Sequence, residues 1–123
     1  MRLTELQQTL RTNIIEQLRL LSSAEEQLRY QHDVPLVNIA VELVCGWFDD
    51  HYVPEDKVFR SAFSAQELQA MAEFDGVFDA ISSSISWNDG ATQIEALIQA
   101  PEWMRLSRAA SVALRAFEVR ATS

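Results

Sequence analysis

Cysteine is nearly absent from this chain. Cys45 is the single one among 123 residues, so no internal disulfide can brace the fold. Glycine and proline are scarce, three of each, which is too few for the turn-rich connections of an all-β sandwich. Apolar runs stay short of a bilayer span, because Asn38, Glu42 and Asp49 interrupt the longest one. The opening residues Met1-Arg2-Leu3-Thr4-Glu5 carry no continuous apolar core of the kind a secretion signal needs. Catalytic signatures are missing as well. There is no glycine-rich phosphate loop, no Cys-x-x-Cys, no Ser-His-Asp order and no Glu-x-x-His repeat of the di-iron bundles. These absences lead us to expect a soluble cytoplasmic domain, without membrane contact, metal or cofactor, that folds on its hydrophobic core alone.

The residues that are present supply such a core. Apolar side chains make up 48% of the chain and charged ones 23%, a globular balance rather than a disordered one. The length suits a single domain, residues 1–123, and neither an internal repeat nor a linker divides it. Periodicity is helical almost throughout. Leu3, Leu6, Leu10, Ile14, Leu18 and Leu21 recur every three or four residues behind Thr4, a predicted N-cap with Gln7 as its capping-box partner. Ile15 and Leu20 widen this stripe enough to suggest a second neighbour, and with it a homodimer. Ser23 and Glu26 form another capping box. The first helix therefore either stops there and restarts, carrying Leu28 and Tyr30, or runs through to Gln31.

Asp33-Val34-Pro35 predicts the start of a helix over 34–52, with Asp33 as N-cap. That segment is apolar on nearly every side, as for the buried centre of a bundle, and Gly46 within it predicts a close neighbour. Pro54 ends it, and a helical turn is expected over 57–63. Ser64 with Glu67 is the clearest capping box in the chain, flanked by Phe63 and Leu68 as a hydrophobic staple. It opens a helix to about Ser83 that buries Leu68, Met71, Phe74 or Asp75, Phe78 and Ile81. Asn88-Asp89-Gly90 predicts a turn, Thr92 and Glu95 a short capped helix, and Pro101 the start of the last helix. The expected fold is all-α: a compact bundle of four longer helices with one or two short connecting helices.

Charge is distributed unevenly. Residues 1–48 hold six acids and four arginines, a net of −2. Residues 49–102 hold eleven acids against Lys57 and Arg60, a net of −9, and residues 103–123 hold four arginines and Glu118, a net of +3. An acidic middle of this kind repels phosphate, which argues against nucleic acid as a partner and favours a basic protein. Asp49, Asp50, Glu55, Asp56, Glu73, Asp75 and Asp79 are the candidate partner-binding residues, with Trp87, in a loop-like stretch, as an apolar anchor. Glu67 joins the same acidic set on what reads as the outer face of its helix.

Other candidates weigh less. Asp49-Asp50-His51 is the densest cluster of potential metal ligands, but its spacing lacks the three- or four-residue interval of helical metal sites. Cys45 is expected buried, protonated and inert, and His32 belongs to a connection. Trp47 and Trp103 fit core stripes. The expected function is a non-enzymatic acidic binding module, in its concrete form a bacterial immunity-type inhibitor of a basic toxin. The alternatives are a self-associating helical scaffold or regulator, and a metal-dependent enzyme using Asp49, Asp50 and His51.

Overall fold

Side-chain caps set the helix starts. Thr4 accepts from the Gln7 amide while the Gln7 side chain returns the bond to the Thr4 N–H, and Ser64 and Glu67 do the same. A computed structural model describes residues 3–85 and 93–122, the last five by their backbone. Among them are α1 (Glu5–Leu21), α2 (Ala24–Asp33), α3 (Ile39–Cys45), a π-helical segment (Gly46–His51), α4 (Lys57–Ser61), α5 (Ala65–Ser84), α6 (Ile94–Leu97) and α7 (Pro101–Thr122). No strand occurs among the described residues, and the fold is all-α as expected. Thr92, Trp87 and the Asn88-Asp89-Gly90 turn lie outside the described residues.

The two readings left open for residues 1–31 resolve into two helices. Ser23 leaves the helical region and accepts from the Glu26 amide. The periodicity of α1 drives Ile14, Leu18 and Leu21 into the core, while Leu6 stays exposed. The stripe that suggested a second copy is therefore largely consumed within the fold.

Two expectations are corrected. Asp33 closes α2 rather than opening the next helix. Pro35 holds the preceding Val34 out of the helical region, at φ −129° and ψ 68°. The next helix begins at Ile39, capped by the Asn38 side chain, which accepts from the Ala40 and Val41 amides. Nor is this helix buried all round. Ile39, Ala40, Leu43 and Trp47 face the core, whereas Val41 and Cys45 are exposed.

α5 and α7 form the most extensive helix pair among the described residues, followed by α1 with α7. Ala110 and Ala113 are buried and Ala109 half-buried, so small side chains sit where the α7 backbone approaches its neighbours. Aromatic rings fill the centre. Trp47 stacks on Tyr52 at 4.8 Å and meets Phe74 edge-on, and Phe78 lies between Phe74 and Trp103.

Polar groups in this core are paired. Gln27, fully buried, donates through Nε2 to the Leu20 and Leu21 carbonyls and accepts from Trp103 Nε1 at 2.9 Å. It thus bonds two carbonyls at the C-terminal end of α1 and fixes the indole of α7. Gln31 accepts from the Ile39 amide and donates to the Val34 and Val37 carbonyls, tying the α2–α3 connection. α2 therefore turns two glutamines inward and leaves Leu28 and Tyr30 exposed.

Candidate functional site

The π segment and α5 meet along a seam that begins with Trp47. Its Nε1 donates to Asp75 Oδ1 at 3.0 Å, and Phe48 packs on Phe78 at 5.0 Å between centroids. A side chain of α1 reaches the start of the π turn. Gln17 of α1 donates to the Leu43 carbonyl at 3.0 Å, occupying an acceptor of the helical ladder. Downstream, the Tyr52 amide reaches back five residues to the Trp47 carbonyl. Gly46 makes room for the glutamine, since a Cβ there would stand 3.2 Å from Gln17 Nε2. The close neighbour expected at Gly46 is this amide.

Around the seam the structure gathers part of the acidic set. Asp49 and Asp50 are exposed at the end of the π segment, and Glu55 is exposed beyond Tyr52. Asp75 is half-buried under Trp47, with exposed Asp79 one turn further along α5. The remaining candidates lie elsewhere or have local duties. Asp56 is the N-cap of α4 and accepts from the Phe59 amide. Glu73 accepts from Gln69 and lies in the groove facing α7, away from Asp75. Consecutive helical positions point apart, and no three His, Cys, Asp or Glu side chains converge among the described residues, Asp49, Asp50 and His51 included.

Glu67 departs furthest from its expected place. It is wholly buried and forms a two-pronged ion pair with Arg11, at 2.7 and 2.9 Å. It also accepts from the Ser64 amide as the capping-box acid of α5. Arg11 donates to the Ala62 carbonyl and lies 5.6 Å from the ring centres of both Phe63 and Phe117. The capping box itself was the sequence signal that Glu67 points back to the backbone.

Cys45 is exposed rather than buried. Its thiol is nonetheless held above its ordinary pKa, by desolvation first and then by the carboxylates of Asp49 and Glu42. A raised pKa disfavours the thiolate, the nucleophilic form of the side chain. Tyr52 is also raised, through burial first and then the charges of Asp75 and Glu55. His32, in the last turn of α2, is exposed beside Asp33 at 3.6 Å.

Sequence reasoning missed the apolar half of this surface. Val41 and Cys45 lie a turn apart on the outer side of α3, Asp49 follows, and Glu42 is exposed next to Val41. Leu36 and Val37 precede the helix, with Leu36 fully exposed. The ion pairs among the described residues are Arg11–Glu67, Arg29–Glu25 and His32–Asp33, so Glu42, Asp49, Asp50, Glu55 and Asp79 have no cationic partner there. No family model, curated protein or solved structure matches the chain. No helix among the described residues is long and apolar enough to cross a membrane.

Proposed function

We propose that this chain is a non-enzymatic binding module whose α3 face docks a basic protein. One observation carries the reading: Val41, exposed on α3, stands beside exposed Glu42 and two turns before exposed Asp49 and Asp50, with exposed Leu36 and Val37 ahead of the helix, and none of these carboxylates is ion-paired among the described residues. An apolar centre with a charged rim is the usual anatomy of a protein interface. The apolar residues supply burial, and the carboxylates draw in a cationic partner and set its orientation. Exposed Glu55 and Asp79 extend the negative rim toward α5.

The concrete form we favour is a cytoplasmic immunity-type inhibitor of a bacterial toxin. A cationic effector such as a nuclease needs a negative surface to neutralise it, and the net charge of −8 provides one. A self-associating role is compatible with this and rests on a different surface, described below. Metal-dependent catalysis has less support, because Asp49, Asp50 and His51 diverge along the π turn.

Affinity capture from host extract tests the assignment. The wild type and a Leu36→Ser/Asp49→Lys/Asp50→Lys variant serve as paired baits. A basic protein retained by the wild type and lost by the variant supports the docking face. Identical retention on both baits removes it.

A further inference from the structure

From a surface separate from the proposed docking face, we infer that the chain forms a two-fold dimer through the groove between α5 and α7. Ala70, Phe74, Val77, Ala109, Val112 and Ala113 line one half of the groove, of about 270 Å³, and its wall is almost entirely apolar. The neighbouring half continues past Gln66, Arg115 and Ala116. Val112 is more than half exposed there, an apolar side chain without cover. The alanines let a second backbone approach closely.

The charges on the two rims select the occupant. On the α5 side the groove-facing acid is Glu73. On the α7 side Arg108 and Arg115 are exposed one turn before and one turn after Val112, and neither is in an ion pair among the described residues. The helices run antiparallel, since Gln66 shares one end of the groove with Ala116 and Val77 shares the other with Ala109. A two-fold axis along the groove lays α7 of a second copy over α5 of the first, and the reverse. Each Glu73 then stands level with Val112 of the other copy, between its Arg108 and Arg115. The perpendicular two-fold would instead stack acid on acid and base on base. The groove thus carries its own complement, which an unrelated partner would have to supply afresh.

The decisive experiment uses two variants that each repel themselves but attract one another. Glu73→Arg places arginine against arginine in a homodimer, and Arg108→Glu/Arg115→Glu places acid against acid. A mixture of the two restores opposite charge at both contacts. Sedimentation equilibrium at high micromolar concentration should give the wild type twice its 14.0 kDa chain mass. Each variant alone should be monomeric, and the equimolar mixture should recover the dimer mass. Exposed positions are chosen so that circular dichroism of both variants matches the wild type. A monomeric wild type at that concentration overturns the inference. So does a dimer that survives either variant alone, because its interface then lies elsewhere.

Discussion

Three residues bear more of this fold than their polarity suggests. Gln27 has every amide function engaged in the interior, so Gln27→Ala strands the Trp103 N–H and the Leu21 carbonyl at once and takes one donor from the Leu20 carbonyl. Leaving buried partners unsatisfied costs about 2–4 kcal/mol in total, and urea unfolding should show a loss of that size. For the Arg11–Glu67 pair, Glu67→Ala should cost about 3–5 kcal/mol, because Arg11 is left largely buried without its counter-charge. The double variant Arg11→Met/Glu67→Leu removes both charges and should recover much of that loss in the same assay, as apolar replacements of buried ion pairs do. Equal destabilisation by the single and double changes would show that packing around Phe63 and Phe117, not the charge, is what matters there.

Tyr52 makes a prediction about pH. Burial and the charges of Asp75 and Glu55 raise its phenol above the ordinary value of about 10. As pH rises past that ordinary value the unfolded chain ionises first, while the folded chain keeps its proton. Stability contributed by Tyr52 is therefore intact at neutral pH and declines through the alkaline window up to the raised pKa. Tyr52→Phe should flatten the fall of unfolding free energy with pH in that window. An unchanged alkaline slope would remove Tyr52 from the account.

Among the elements, the π segment and α5 give different answers to one substitution. At Gly76 an added methyl meets nothing within 4 Å, so Gly76→Ala should stabilise by about 0.5–1 kcal/mol through helix propensity alone. At Gly46 the same gain is offset by displacement of Gln17 from the Leu43 carbonyl, a hydrogen bond worth about 1 kcal/mol. Gly46→Ala should accordingly show no gain in melting temperature while Gly76→Ala raises it. Element starts were the most legible part of the sequence, because Thr4, Ser64 and Pro101 act through their nearest neighbours. Asp33-Val34-Pro35 misled for a physical reason. An N-cap followed by proline in the first turn looks the same locally as a helix end stopped by the residue before proline. What decides is Gln31, whose side chain meets the connection and the Ile39 amide. Periodicity failed on α2 and α3 for a related reason: it counts apolar residues as inward, whereas carbonyls at helix ends drew glutamines inward and left Leu28, Leu36 and Val41 outside.

Across the whole molecule, charge separates by region in a way that linear composition only outlines. The acidic middle of the sequence divides into a buried partner for Arg11, a cap at Asp56, a support for Trp47 at Asp75, a groove acid at Glu73, and exposed carboxylates around the π segment. A sum over residues 49–102 weights all of these equally, which is why the sequence pointed to an acidic surface without delimiting it. The apolar border of that surface was invisible to it, since Leu36, Val37 and Val41 were assigned to a core they do not enter. Only the exposed part can meet a partner.

The most direct test of the docking face is the salt dependence of association between this chain and the basic protein that the paired baits identify. Steering by exposed carboxylates makes the association rate fall steeply as salt screens them. Stopped-flow measurements across a salt series should show that fall for the wild type. Asp49→Lys/Asp50→Lys should associate at least about tenfold more slowly at low salt, with a shallower slope, as expected when steering charges are reversed. An association rate and salt slope that both stay at the wild-type values in the variant would contradict the proposed face.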